Sequence, residues 1–142
     1  MDLALLLKSS QLSITKQPLI LAIDDDEDSL VLLSEVLSSM SCSFITATHG
    51  HTALLLAQTY PPALILLDVM LPDFNGIEVV QRLKQNPQTM SIPVIAVTAL
   101  ASSEDRDRLI LAGCNDYISK PYMLDDLEVI IHSYLSRTRS IA

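Results

Sequence analysis

Short apolar segments alternate with longer amphipathic segments along most of this chain. Residues 19–23 (LILAI) are apolar at every position, as expected of a strand that is buried on both faces of a sheet. From Asp28 to Met40, apolar residues instead recur at the spacing of one helix face. They are Leu30, Leu33, Leu37 and Met40. This pattern predicts a buried strand followed by an amphipathic helix.

The same alternation continues to the last part of the chain. Further strands are predicted at SFITA, ALILLDV, IPVIAVT and DYIS. Capping residues and helix breakers mark the intervening helices. The first of these helices is HTALLLAQTY, which Pro61 and Pro62 stop. The second begins at Asn75, with Glu78 as its capping partner, and ends before Pro87. The third is capped by Ser102 with Asp105 and closed by Gly113, and the last is capped by Asp125 with Glu128 and runs through Ser136.

Five buried strands that alternate with single helices define the fold class. Each helix has to cross over to the next parallel strand, so helices cover both faces of the sheet. The prediction is an α/β fold with a doubly wound five-stranded parallel sheet, (βα)5, in a three-layer sandwich. Residues 18–138 are expected to form this domain, with an N-terminal arm at 1–17 and a tail at 139–142.

Composition narrows the function classes. With 49% apolar and 18% charged residues, the 142-residue chain suits one folded domain. A net charge of −8 argues against direct nucleic-acid binding, and no apolar run approaches the roughly 20 residues of a membrane span. Cys42 and Cys114 are far apart in sequence and form no metal or redox motif. A cytoplasmic protein with two reduced thiols is expected.

Polar residues gather where the predicted strands end. Asp24 and Asp25 follow the first strand, and Asp68 ends the third. Thr98 ends the fourth strand, and Lys120 follows the fifth. In open parallel sheets, ligands bind at the carboxyl ends of the strands. We therefore expect these five side chains to converge on one crevice.

Three carboxylates in one crevice repel one another unless a cation lies between them. An all-oxygen site without His or Cys suits Mg²⁺. Thr98 and Lys120 would then remain to bind an anion, and phosphate is the obvious one beside Mg²⁺. A carboxylate nucleophile with Mg²⁺, an ammonium and a hydroxyl forms a minimal phosphoryl-transfer site.

Four motifs occur together in this order: AIDDDED, LILLDVMLPDFNG, PVIAVTA and YISKPY. In this combination the chain, from about Pro18 to Arg137, resembles the receiver domains of two-component response regulators. The resemblance implies a flavodoxin-like, CheY-like fold. It also implies that Asp68 is the phosphoacceptor, and that Asp24, Asp25, Asp68 and the Met70 backbone carbonyl hold Mg²⁺.

The resemblance assigns roles to the remaining motif residues. Thr98 resembles the switch hydroxyl that moves toward the phosphoryl oxygens, assisted by the Ala99 amide. Lys120 resembles the phosphate-binding lysine, and its bond to Pro121 is cis in the family. Tyr117 resembles the aromatic residue that changes exposure when the switch hydroxyl moves.

The resemblance also implies partners. A sensor histidine kinase or a phosphotransfer protein would donate the phosphoryl group, and a downstream protein would dock on the face formed by residues 103–135. A homodimer is compatible with the sequence. No second domain pattern follows the last helix, so we expect a stand-alone signalling protein, not an enzyme, or a piece of a longer regulator.

Two apolar residues are expected to set the lifetime of the phosphorylated state. Met70 lies two positions after Asp68, and Leu100 lies two positions after Thr98. Neither side chain can position a hydrolytic water. The sequence therefore predicts slow self-dephosphorylation.

Three other interpretations remain open at this point. Residues 24–35 fit part of a calcium EF-hand loop, although Ser29 stands where Gly is expected. Asp24 and Asp26 imitate the DxD element of haloacid-dehalogenase-like phosphatases, although the late acidic pair of that family is missing. A receiver-like domain that acts only as a phosphorylation-independent binding module is the third.

Overall fold

Over residues 17–99 and 102–140, which the computed structural model describes, each strand is followed by a helix. The strands are β1 (Leu19–Ile23), β2 (Ser43–Ala47), β3 (Leu64–Leu67), β4 (Val94–Thr98) and β5 (Asp116–Ser119). The helices are α1 (Glu27–Ser39), α2 (Gly50–Thr59), α3 (Gly76–Gln85), α4 (Ser103–Ala112) and α5 (Leu124–Ser140). Within the described ranges, no helix is both long enough and apolar enough to cross a lipid bilayer.

The five strands form one sheet in the order β2-β1-β3-β4-β5, and every neighbouring pair is parallel. The order reverses between β1 and β3, so helices must pack on opposite faces of the sheet. Helices α1 and α5 cover one face, and α2, α3 and α4 cover the other. The predicted (βα)5 doubly wound fold is confirmed.

The apolar strands are explained by burial on both faces. In β1, Leu21 and Ile23 pack under α2 and α3, whereas Ile20 and Ala22 pack under α1 and α5. All four are at most 1% exposed. Burial of a Leu or Ile side chain contributes roughly 1.5–3 kcal/mol to the stability of the fold. Apolar residues are therefore favoured at every position of a strand that is covered on both faces.

Most predicted helix ends agree with the structure. The Asn75 side chain accepts a hydrogen bond from the Ile77 amide at 2.9 Å, and the Ser102 hydroxyl accepts one from the Asp105 amide at 3.1 Å. Gly113 closes α4 in a left-handed conformation with φ 115°, where a residue with a Cβ would be strained.

Both ends of the last helix differ from the prediction. Helix α5 begins at Leu124, so Asp125 lies in its first turn and is not the capping residue. Acidic side chains are favourable at the cap and in the first turn alike, so the sequence signal did not separate the two positions. The helix continues to Ser140, beyond the predicted end at Ser136, because the intervening residues include no Gly or Pro to stop it.

Helix α2 is capped from a distant loop. Its own N-cap residue, His49, makes no side-chain capping bond. The Asp73 carboxylate, from the loop after β3, instead accepts hydrogen bonds from the amides of Gly50 at 2.7 Å and His51 at 3.0 Å. These bonds, the one from His51 first, lower the pKa of Asp73. The loop after β3 is thereby tied to the start of α2.

Replacement of Asp73 by Ala is expected to lower the melting temperature at pH 7, because two N-terminal amides of α2 lose their acceptor. A lowered pKa in the folded state means that the stabilisation is present above the ordinary pKa of an aspartate. It is lost as the pH falls through the lowered value. The difference in melting temperature should therefore narrow below about pH 4.

Melting curves followed by circular dichroism between pH 3 and pH 7 would check this expectation. Asp107→Ala is the matched control, because Asp107 is an exposed carboxylate on α4. An equal, pH-independent change in both variants would contradict the capping role of Asp73.

Candidate functional site

Two carboxylates lie side by side at one edge of the sheet. The register pairs Ile23, the last residue of β1, with Leu67, the last residue of β3. Asp24 and Asp68 directly follow these two residues and therefore lie side by side. The Asp68 amide donates to the Ile23 carbonyl at 2.8 Å. Both side chains are buried, with 1% and 7% exposure. The parallel pairing of β1 with β3 thus brings the two predicted acidic residues together.

Lys120 lies between these two carboxylates. Its Nζ is 2.6 Å from Asp24 Oδ2 and 3.0 Å from Asp68 Oδ2. Its amide donates to the Thr98 carbonyl at 2.9 Å, which holds the residue beside the end of β4. The ammonium therefore joins the ends of three strands through side-chain and backbone contacts.

Burial and pairing shift the protonation equilibria in this group. Loss of solvent raises the pKa of Asp24, although the hydrogen bonds from Lys120 and from the Asp26 amide oppose the shift. Burial by itself would lower the pKa of Lys120, but its bonds to Asp24 and Asp68 outweigh that effect and raise it. The lysine is therefore held in its charged form between the acids.

The acidic run Asp24–Asp28 divides into two parts with different contacts. Asp24 and the exposed Asp25 face the site. Asp26 is the N-cap of α1, where its side chain accepts from the Asp28 amide at 3.1 Å. Glu27 and Asp28 lie in the first turn of that helix, where negative charge is favourable.

This local structure excludes the EF-hand interpretation. Residues 27–35 would form most of the calcium loop, but they lie in α1. The helix begins three residues after Asp24, so the chain cannot wrap around an ion there.

The acidic edge of the sheet fits a divalent cation. Asp24, Asp25 and Asp68 each offer an oxygen, and these oxygens lie within 4.8 Å of one another. When all three are ionised, they carry three negative charges against the single positive charge of Lys120. The remaining excess of two charges and the all-oxygen donor set suit Mg²⁺.

The loop after β3 holds Met70 against the site. The Met70 amide donates to Asp68 Oδ1 at 2.9 Å, while its side chain is 58% exposed. Met70 and Asn75 form an isolated antiparallel bridge, and the Gly76 amide donates to the Val69 carbonyl at 2.8 Å. The loop is therefore a tight turn that returns directly to the start of α3.

Gly76 is required by this turn. A Cβ at position 76 would lie 2.2 Å from Val69 Cα. Such a distance is far inside van der Waals contact, and the atom it meets is backbone. The absence of a side chain at Gly76 thus allows α3 to start beside Asp68.

Thr98 and Ala99 occupy the end of β4. Thr98 is fully buried, whereas Ala99 is exposed. Leu100, the second residue predicted to tune the phosphorylation lifetime, lies outside the described residues. The placement of Thr98 beside Lys120 follows from the register of β4 with β5, which pairs Thr98 with Ser119.

Tyr117 lies half-buried in β5, level with Ala96 of β4. The guanidinium carbon of Arg106, on α4, lies 4.7 Å from the centre of its ring. This distance is that of a cation–π contact. Sequence reasoning missed Arg106, because its partner lies eleven residues away on another element and no local spacing marks the pair.

Tyr122 is a second neighbour of the site that sequence reasoning did not single out. Burial raises the pKa of its hydroxyl; the positive charge of Lys120 opposes the shift and the charge of Asp24 adds to it. The Lys120–Pro121 bond before it is cis, the geometry that the resemblance implied. The place of Tyr122 directly after this dipeptide was the available signal.

Comparison with known proteins agrees with this geometry. The response regulator receiver domain model matches residues 20–132. The polar-differentiation response regulators DivK of Brucella anthropi and Brucella ovis are each 37% identical over 116 residues, which are 82% of this chain and 94% of each relative.

Solved structures give the same result. A CheY-like response regulator receiver domain protein from Methanospirillum hungatei has a TM-score of 0.82 at 26% identity and covers 89% of this chain and 100% of its own. The receiver domain of a sensor histidine kinase from Pseudomonas aeruginosa has a TM-score of 0.79 at 26% identity, with 84% and 98% coverage. That structure has a magnesium ion coordinated in its active site cleft.

The fold and the acidic edge define a two-component signalling module. The chain belongs to the response regulator receiver domain family. It is thus the receiver domain of a response regulator, and the haloacid-dehalogenase-like phosphatase interpretation is wrong.

Replacement of Gly76 by Ala is expected to destabilise the fold by about 1–3 kcal/mol, as overpacking typically does. Gly50→Ala is the matched comparison, because its Cβ would meet only side-chain atoms of Phe74 and Val79, each at 2.9 Å. Side chains can move aside more easily than the Val69 backbone. Urea denaturation should therefore show the larger loss of unfolding free energy for Gly76→Ala, and a smaller loss would contradict the backbone constraint.

Proposed function

We propose that Asp68 is the phosphoacceptor of this receiver domain and that a histidine kinase or phosphotransfer protein is the donor. The observation that carries the proposal is the pairing of the Lys120 ammonium with Asp24 and Asp68 at the strand ends. A nucleophilic carboxylate beside a cationic group and further metal-binding oxygens is the arrangement that phosphoryl transfer requires.

In the proposed reaction, an Asp68 carboxylate oxygen attacks the phosphorus of a phosphohistidine. The new O–P bond forms as the N–P bond breaks, and the electron pair returns to the imidazole nitrogen. Mg²⁺ held by Asp24, Asp25, Asp68 and the Met70 carbonyl would supply positive charge that offsets the repulsion between carboxylates and phosphoryl oxygens. The Met70 amide, already bonded to Asp68 Oδ1, helps to orient the attacking carboxylate.

Lys120 is expected to change partners when Asp68 is modified. In the unmodified protein its ammonium contacts both carboxylates. An aspartyl phosphate adds charge and strong acceptor oxygens at the same place, so the ammonium gains contacts that exist only in that state. Thr98 and the Ala99 amide lie at the neighbouring strand end and would donate to the same oxygens.

These new contacts provide the free-energy difference that a switch needs. We propose that movement of Thr98 is transmitted to Tyr117, and that the Arg106 contact with the Tyr117 ring joins this movement to α4. The signal would then reach the face formed by residues 103–135.

We propose this face as the docking surface for a downstream protein, or for a second copy in a homodimer. It carries several exposed apolar side chains, and exposed apolar groups favour association. They are Ile110, Leu111, Met123, Leu124 and Val129. Cys42 and Cys114 are both buried and reduced, which supports a place for the domain in the reducing cytoplasm.

Incubation with acetyl phosphate and Mg²⁺ is expected to add one phosphoryl group to the chain, because Asp68 can attack this small donor without a kinase. Intact mass spectrometry measures the product. Asp68→Asn should stay unmodified, since an amide is not a nucleophile, and EDTA should prevent the reaction of the unaltered protein.

Each control separates a different part of the proposal. Modification of Asp68→Asn would mean that another residue is the acceptor, and modification in EDTA would remove the need for a divalent cation. If Mg²⁺ binds but no adduct forms, the domain is a phosphorylation-independent binding module.

We also propose that the phosphorylated state decays slowly. Met70→Asn together with Leu100→Glu would introduce polar groups able to orient a hydrolytic water, and should speed decay of the adduct. The fraction of phosphorylated protein, followed by mass after removal of acetyl phosphate, gives the rate. Unchanged decay in the double variant would contradict the role of these two positions.

A further inference from the structure

A groove of about 690 Å³ lies between α1 and the edge strand β2, and its lining includes none of the five predicted site side chains at the strand ends. Its apolar lining comes from Leu30 and Val31 of α1 and Phe44 of β2. Val31 is 58% exposed, although it lies in the middle of the helix. The proposed phosphoryl transfer makes no use of this surface.

The groove runs beside an open edge of the sheet. Strand β2 is the first in the order β2-β1-β3-β4-β5 and pairs only with β1 among the described strands. Thr46, on this strand, is exposed and lines the groove. Edge strands of this kind are commonly covered by another segment of protein.

The chain enters the domain at the foot of this groove. The Ser43 amide, at the start of β2, donates to the Pro18 carbonyl at 2.9 Å. The Ser43 hydroxyl lies 3.1 Å from Gln17 Oε1, to which it donates. Gln17 and Pro18, which precede β1, are therefore bonded to Ser43 of β2. The residue after Ser43 is Phe44, which lines the groove.

Residues 1–16 precede this entry point and lie outside the described residues. Their sequence, MDLALLLKSSQLSITK, contains the apolar run Leu3–Leu7 followed by Lys8. The groove offers apolar side chains together with two acidic ones, Glu27 and Glu35. The segment and the groove thus match in apolar character, and the net positive charge of the segment (Lys8 and Lys16 against Asp2) is opposite to that of the groove.

The length of the segment is sufficient. Ten peptide units separate Leu7 from Gln17, which allows a span of up to about 33 Å. Along α1 the groove extends from Glu27 to Ser38, about 17 Å at the rise of a helix. The apolar run can therefore reach any part of the groove from the entry point.

We propose that the apolar run Leu3–Leu7 packs into the groove between α1 and β2 of the same molecule, with Lys8 near Glu27 or Glu35. The contact buries Val31 and covers the open side of β2. It gives residues 1–16 a defined place on the domain, independent of the phosphorylation of Asp68.

A second groove allows a matched control. It lies between Met40 and α5, and it is lined by Asp125, Glu128 and Val129 among others. Val129 is 70% exposed, comparable with Val31. The bond between Gln17 and Ser43 directs the chain to the β2 side, so the α1–β2 groove is the one that we assign.

The test compares amide spectra of the ¹⁵N-labelled full chain and its Leu5→Asp/Leu6→Asp variant. Both substitutions precede residue 17, so they change none of the side chains of the described strands and helices. The resonances of Phe44, Thr46 and the groove-lining residues of α1 should shift, and the shifts should not change on dilution. In the reverse direction, Val31→Glu should shift the amides of residues 3–7, whereas Val129→Glu should not.

Three results would overturn the proposal. If the amide resonances of the groove-lining residues do not shift in the Leu5→Asp/Leu6→Asp variant, the apolar run does not bind in this groove. Shifts confined to residues 125–133 would assign the run to the second groove. Shifts that disappear on dilution would mean that a second copy supplies the segment.

Discussion

The burial of Asp24 and Asp68 side by side is the constraint around which the site is organised. Their burial follows from the parallel register of β1 and β3, which is itself fixed by apolar residues on both faces of the sheet. Two ionised carboxylates that are removed from water, with oxygens within 4.8 Å of each other, are unfavourable without a compensating positive charge. The Lys120 ammonium supplies one, and the remaining negative charge makes the edge suitable for a divalent cation.

The site keeps an excess of negative charge when its carboxylates are ionised. One ammonium cannot balance three ionised carboxylates, so the oxygens of Asp24, Asp25 and Asp68 are suited to hold a cation. The same ammonium is available to a new anion when one arrives. A single lysine therefore pairs with both unmodified carboxylates, and under the proposed function it would also contact a phosphoryl group on Asp68.

Two separate contacts hold the loop after β3 in place. Gly76 allows the backbone to return within contact of Val69, which closes the turn after β3. Asp73, in the same turn, caps the start of α2 through two backbone amides. The loop that carries Met70 is thus bonded to the start of α2 and packed against Val69.

Local signals in the sequence were sufficient for the elements and for the principal site residues. The fully apolar strands, the caps at Asn75 and Ser102 and the glycine at position 113 gave the strands and most helix ends, because each depends on neighbours in sequence. The placement of Asp24, Asp68, Thr98 and Lys120 at strand ends followed once the sheet was predicted to be parallel. The predicted start of α5 was wrong, because an acidic residue is favourable both at the N-cap and in the first turn of a helix.

Contacts between distant parts of the chain required the tertiary structure. The amino-acid sequence by itself determined which residues are apolar, where most of the helices begin and which strand ends carry charge, since these properties act over a few residues. The tertiary structure alone decided that Asp73 caps α2, that Arg106 stacks on Tyr117 and that Lys120 bridges Asp24 and Asp68. These contacts join residues 11 to 96 positions apart, and only the packing of the sheet and its helices fixes their distances.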